Sequence, residues 1–468
     1  MSIVFVGAGG SGVRALVQLI IALNIPDIVC IDESDSSTLQ QFREHNIPTY
    51  VGHETYSLQN GDVVIYSAAT KDTQQVKDAF NFCKIDPLAP TPFLYAEFLG
   101  EISKYLFTIA ITGTHGKSTT TGLVATGAID LIPKTSLAIV GAGVVHWGGE
   151  NCRYNPNDIT LLRSIMQRIL SRKFTNETIP LKQHLFIVEA DEFNHHFLSL
   201  QPDISIITSM DHDHVDIYPT RDKYLTAFEQ FCRNTHGPVF TLDSIAKELQ
   251  NNDNITIIEP THFKFKTMIG GHNHTNTSLA LAALEYVQRK DGIFKTTEIL
   301  KQSLESFQGL HRRAEFLGMN THNIPVYSDY GHHPDEIKST IKAFQESFPG
   351  RKIVCLFEAH QARRLLNFWY EFINAFEHIT CFIVPVFTAR ESFEDIEQYC
   401  NKAEIHTIIN HLKSFHDLGK TFAKQVNGTY IANREELIDT INTITQGSII
   451  GFSAGILDGK LRKQQKTH

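Results

Sequence analysis

The 468 residues exceed what one hydrophobic core usually organises, so about three domains is the natural expectation. A hydrophobic share of 42% with 20% charged residues is ordinary for a globular protein in water. The net charge of −9 argues against a nucleic-acid surface and leaves room for a local basic cleft. Seven cysteines, odd in number and scattered, make neither a disulfide framework nor a Cys-x-x-Cys ligand set, and read as buried thiols of a reducing compartment. The first residues run into a strand with no basic region before an apolar core, and no apolar run approaches the ~20 residues of a membrane span. A cytoplasmic chain with neither nucleic acid nor membrane as partner is expected.

In chain order, Ile3 to Val6 reads as a strand, Gly7-Ala8-Gly9-Gly10-Ser11-Gly12 satisfies G-x-G-x-x-G, and Val13 to Leu23 reads as a helix. A second strand, Ile28 to Ile31, ends at Asp32, about where an acidic residue meets a ribose in a Rossmann unit. The glycines admit a dinucleotide or a nucleoside diphosphate, or serve only to let helix and strand pack closely. Val63 to Tyr66 leads to Ser67-Ala68-Ala69. After the proline-rich passage Pro87 to Pro92 and a helical stretch to Tyr105, the β-branched run Phe107 to Ile111 forms a buried strand, which places the first boundary near Phe107.

That strand enters Thr112-Gly113-Thr114-His115-Gly116-Lys117-Ser118-Thr119-Thr120, followed by a helix start. Gly113 and Gly116 permit the tight turn that brings backbone N–H groups to an anion, and the helix N-terminus adds partial positive charge. Lys117 suits the β- and γ-phosphates and Ser118 suits Mg²⁺, although Ile111 stands where the first glycine of G-x-x-x-x-G-K-[ST] belongs. Two strands then end in acidic clusters, Leu185 to Val188 in Glu189-Ala190-Asp191-Glu192, and Ile204 to Thr208 in Asp211 to Asp216. Acids at strand ends mark the ligand-binding edge of an open α/β sheet, and the cluster suits Mg²⁺ or, at His212 and His214, zinc. Leu161 to Lys173 is a helix with Arg163, Arg168, Arg172 and Lys173 on a solvated face. Gly270 to Asn276 precedes a helix from Ser278 to Gln288. The last third opens with Phe307 to Glu315, which contains Arg312-Arg313. Next come the strand Ile324 to Ser328 with Asp329-Tyr330-Gly331-His332-His333-Pro334-Asp335-Glu336-Ile337, and the strand Ile353 to Phe357 with Glu358 to Arg364.

T-G-T-H-G-K-S-T-T, E-A-D-E with D-H-V-D-x-Y, G-x-H-N-x-x-N, F-x-G-x-x-R-R-x-E and D-Y-G-H-H-P-x-E-I occur in one order across nearly the whole chain. Together they resemble the Mur ligases, the amide-forming enzymes of peptidoglycan synthesis. The resemblance implies an α/β protein of three domains: a Rossmann-like UDP-sugar-binding domain at 1–106, a central P-loop ATPase-like domain at 107–309, and a Rossmann-like C-terminal domain at 310–468. It implies ATP as substrate and Mg²⁺ as cofactor, with UDP-N-acetylmuramate and L-alanine joined through an acyl phosphate. A tripeptide-recycling ligase and a catalytically weakened nucleotide-binding relative are the alternatives.

Carried over residue by residue, Gly9, Gly10, Ser11, Gly12, Asp32 and Ser67 meet the UDP-sugar. Gly113, Thr114, His115, Gly116, Lys117, Ser118 and Thr119 meet ATP, Asn273 its adenine, and Asp329 the nucleotide. Arg313 reaches the phosphates on closure, Ser118, Glu189 and His214 hold the metal ions, and His332, His360 and Arg364 face the amino acid. The chain departs from the family pattern at Asn194 and His196, usually Asp and Ser. It departs again at Glu358, Ala359 and Ala362, usually Gln, Pro and Tyr. The stretch 156–184 is longer than the family leads one to expect and reads as an insertion.

Overall fold

The computed structural model describes residues 2–52, 55–171, 181–214, 217–249, 252–292, 296–388, 391–400 and 402–465. It divides into two compact units, the first comprising Met1–Lys264 with His274–Phe307 and the second Phe265–Asn273 with Gln308–His468.

The first unit contains two sheets. Strands β1 (Ile3–Val6), β2 (Ile28–Asp32), β3 (Thr49–Val51), β4 (Val63–Tyr66) and β5 (Phe93–Leu94) form a parallel sheet of order β3-β2-β1-β4-β5. These strands are near-continuous apolar runs because helices cover both faces of a parallel sheet. The order reverses between β1 and β4, which opens a crevice at their carboxyl ends. The glycine-rich loop after β1 and Ser67 after β4 stand at that crevice.

The second sheet has the order β12-β11-β10-β6-β9-β7-β8. Its strands are β6 (Phe107–Thr112), β7 (Thr135–Ile139), β8 (Cys152–Tyr154), β9 (Leu185–Glu189), β10 (Ile204–Ile207), β11 (Val239–Thr241) and β12 (Ile255–Ile257), and β8 alone among them pairs antiparallel. β6 lies between β9 and β10, so the loops after these three strands share one sheet edge. The expected phosphate loop and both acidic clusters thereby meet.

The helix Ile159–Ser171 turns out to be part of the core. Leu162, Ile165, Met166, Ile169 and Leu170 are buried, and the Arg163 Nε donates to the Leu23 carbonyl at 2.7 Å, where the helix Ser11–Ala22 ends. A carbonyl left open at a helix C-terminus is a natural partner for a guanidinium, so this arginine is structural where the sequence pattern alone reads as solvated surface. Arg172 and Lys173 lie outside the described residues.

In the second unit β13 (Glu315–Met319), β14 (Pro325–Asp329), β15 (Ile353–Phe357), β16 (Thr380–Ile383), β17 (Thr429–Tyr430) and β18 (Ser448–Phe452) give the order β13-β14-β18-β15-β16-β17. Only β13 runs antiparallel to its neighbour. The loops after β14, β15 and β18 share the carboxyl edge. Ile269 joins this unit's core, and the Gly270 N–H donates to the Ser347 hydroxyl at 3.3 Å. The helix expected from Ser278 starts instead at His272, so the His-Asn string forms its first turn. The three sheets confirm the α/β class, and no helix among the described residues is long and apolar enough to cross a membrane.

Candidate functional site

A cavity of about 320 Å³ lies in the first unit, lined on one side by Gly10, Ser11, Gly12, Ser67 and Tyr95 and on the other by Gly141, Glu189, Asp191 and His196. Gly12 is required there, since a Cβ would sit 2.8 Å from the Tyr95 ring. Asp32 is committed locally, its Oδ2 accepting the Gly9 N–H at 2.8 Å, so it shapes the loop. The Ser11 carbonyl accepts from Asn151 at 2.9 Å, which fixes the glycine-rich loop to the strand edge near β8.

Glu189, at the end of β9, joins the cavity to the phosphate loop. Its Oε1 accepts from the Ser118 hydroxyl at 3.0 Å and its Oε2 from the Gly141 N–H at 2.7 Å. Burial pushes its carboxyl above the usual range, against the opposing pull of Lys117. Such carboxyls become good ligands when a cation arrives to stabilise the charged form. A hydroxyl and a carboxylate oxygen side by side suit Mg²⁺, which takes few protein ligands and completes its shell with water and phosphate.

The loop itself is held from several sides. Gly113 (φ 130°) and Gly116 (φ 83°) occupy the left-handed region, and Cβ atoms there would strike Thr208 Oγ1 at 2.4 Å and Asn276 Oδ1 at 2.6 Å. The Thr114 hydroxyl bonds the Asp211 carbonyl at 2.7 Å and Tyr224 at 2.8 Å, and the His115 N–H donates to Ser209 at 2.7 Å. Thr119 is partly exposed in the first helical turn.

Lys117 donates to the Gly113 carbonyl at 2.7 Å and pairs with both oxygens of Glu192 at 3.0 and 2.9 Å. Burial opposes the Lys117 ammonium, but Glu192 and the acids behind it outweigh that, and its pKa is raised. Burial likewise opposes the Glu192 carboxylate, yet His214 and Lys117 hold it below the usual range. His214 Nε2 stands 3.6 Å from Glu192 Oε1.

His214 (φ 53°), Asn194 (φ 55°) and His195 (φ 60°) are all left-handed, a region uncommon for non-glycine residues and in which Asn and His are enriched. His212 is turned to the Tyr218 carbonyl at 2.7 Å, whereas His214 faces Glu192, so the two imidazoles serve different partners. Among the described residues no three His, Cys, Asp or Glu side chains converge in a metal cage. Val215 and Asp216 of this cluster lie outside the described residues.

In the second unit, His332, His360 and Arg364 stand close together. The imidazoles are 6.0 Å apart, and Arg364 Nη1 lies 3.4 Å from His360 Nδ1. Burial lowers the pKa of both histidines; Arg364 adds to the effect at each, and Glu336 opposes it at His332. Gln361, directly after His360, holds φ 75° and ψ 130°, a strained turn secured by Glu391 accepting the Ala362 N–H at 2.6 Å. Glu358 is buried and paired with Arg434 at 3.0 Å, accounting for a charge where the family pattern has an amide. Arg313 lies 3.9 Å from Glu336. Asp329 accepts the Ala314 and Gly331 N–H groups at 2.8 Å each, and Asn273 donates to the Ile269 carbonyl at 2.8 Å, so both side chains hold local backbone in place. Glu192, Tyr95 and Asn276 belong to these constellations though the sequence reading gave them no role. Only the fold reveals what they face.

Three α/β sheets with a phosphate loop facing buried acids define a nucleotide-using α/β enzyme scaffold. Residues 111–259 match the family model of the Mur ligase middle domain, and residues 312–454 that of the Mur ligase, glutamate ligase domain. The UDP-N-acetylmuramate–L-alanine ligase of Aquifex aeolicus is 28% identical over 424 residues, covering 83% of this chain and 84% of that one. Its counterpart in Rhizobium etli is 29% identical over 433 residues, covering 83% and 82%. The solved UDP-N-acetylmuramate-alanine ligase from Thermotoga maritima has the same fold, with a TM-score of 0.70 at 20% identity, covering 100% and 99% of the two chains. The chain belongs to the Mur ligase family.

Proposed function

We propose that this chain is a cytoplasmic, ATP- and Mg²⁺-dependent ligase that joins L-alanine to the lactyl carboxylate of UDP-N-acetylmuramate. The observation that carries the reading is that Glu189 both lines the cavity beside the glycine-rich loop and bonds Ser118 of the phosphate loop. An acid held in that cavity presents its carboxylate where a γ-phosphate is held. The curated relatives bearing that activity in their names support the choice of substrates.

In the first step a carboxylate oxygen attacks the γ-phosphorus, an acyl phosphate forms and ADP leaves. Lys117 binds the transferring phosphoryl oxygens, and Arg313 is assigned to the same charge, its planar donors suiting spread oxygens. Ser118, Glu189 and His214 would hold magnesium, which supplies charge neutralisation to the phosphates when bound. In the second step the amine attacks the acyl carbon through a tetrahedral intermediate and phosphate leaves. Arg364 binds the alanine carboxylate, and His332 or His360, whose buried imidazoles disfavour the charged form, takes the proton the ammonium must lose.

Phosphate release with UDP-N-acetylmuramate and ATP, supplying L-alanine, glycine, L-serine or tripeptide in turn, tests the reading. L-Alanine is the expected substrate. Turnover with tripeptide alone assigns the recycling reaction, and no turnover with any of them assigns a nucleotide-binding relative.

A further inference from the structure

Glu192 is fully buried, yet its partners are the phosphate-loop lysine and the histidine assigned to metal. Its backbone is held from behind, because the Tyr218 hydroxyl donates to its carbonyl, and the left-handed pair Asn194–His195 follows one residue on, after Phe193. The Lys117 side chain, 16% exposed, therefore faces a carboxylate that is itself 1% exposed. At the floor of the loop the lysine's charge is cancelled before any phosphate arrives, and Glu189 and Asp191 stand close behind.

We propose that Glu192 makes the phosphate loop selective for a nucleotide that brings a divalent cation with it, by neutralising Lys117 and repelling phosphates that arrive without countercharge. The inference rests on the nucleotide reading above. A triphosphate without metal meets a buried carboxylate a few ångströms from its own negative charge, where little water screens the repulsion. A triphosphate accompanied by a cation carries the compensation with it. In this reading Glu192 is a positioning and selecting residue, acting through Lys117 and His214.

Calorimetric titration of the full chain with ATP in excess EDTA and with ATP in excess Mg²⁺ tests the idea without turnover. Wild type should bind ATP about tenfold or more weakly in EDTA. Glu192→Gln should close that gap by tighter binding in EDTA, whereas Glu192→Asp should retain it. Thermal unfolding verifies that each variant is folded, and Glu192→Ser serves if Glu192→Gln is not. EDTA-phase affinity in the neutral variants equal to or below wild type overturns the proposal, as does equal wild-type affinity in both media. No ATP binding in either medium removes the nucleotide reading itself.

Discussion

Lys117 and Arg364 sit in separate units, and their removal should separate cleanly in kinetics. Lys117 is absent from the wall of the cavity beside the glycine-rich loop. Lys117→Ala should therefore abolish phosphate release while calorimetry shows UDP-N-acetylmuramate binding nearly unchanged. Simultaneous loss of both ligands from a folded variant would refute the placement of the two subsites. Arg364 offers the planar donors a carboxylate needs, beside two imidazoles, the nearer at 3.4 Å. Arg364→Ala should raise the KM for L-alanine by about tenfold or more and leave the KM for UDP-N-acetylmuramate little altered. An unchanged amino-acid KM would move the alanine site elsewhere. Because Ala362 stands where the family carries tyrosine, glycine and L-serine should also be accepted more readily than by relatives with the full pattern.

Among the elements, the helix Ile159–Ser171 tests whether the extra length contributes chemistry or packing. Ile165 is completely buried on its inner face. Ile165→Ala should cost about 2–5 kcal/mol in urea unfolding, with phosphate release per folded molecule preserved. Lost activity at unchanged stability would give the helix a catalytic part that its contacts do not suggest.

The strands and loops that hold the site were legible from sequence because each motif follows an apolar run, and glycine, lysine and acid at a strand end have few other uses. Glu192 was not legible in its role, since four consecutive residues E-A-D-E do not say which carboxylate turns inward. The fold settles that, with Glu192 buried against Lys117 and His214. Arg163 was misread because a basic residue on a helix is usually solvated, and only the neighbouring helix end supplies the carbonyl it caps. Asp32 and Asp329 were placed correctly at strand ends, but their backbone partners depend on loop paths that spacing does not encode.

At the scale of the whole molecule, acid should act on the second unit through Glu315. Burial works against this carboxylate, but Arg462 and His311 hold its pKa at about 2, well below the ordinary 4.5. A depressed carboxylate contributes its stability fully above about pH 4.5 and loses it as the pH falls toward 2, a loss on the order of 3 kcal/mol. With Trp369 in this unit's core as reporter and Trp147 replaced by Phe, urea midpoints should fall through that window, and Glu315→Gln should flatten the slope. A slope unchanged by the substitution would assign the acid sensitivity to other groups. The path of the chain between the units has a consequence for inheritance. Residues 265–273 belong with the second unit, although residues 274–307 return to the first. A gene fragment beginning at Gln308 would encode the third sheet without Ile269, leaving an apolar gap in its core. A single junction can carry this unit whole only if it falls before Phe265, and the fragment then also brings residues 274–307, which pack with the first unit.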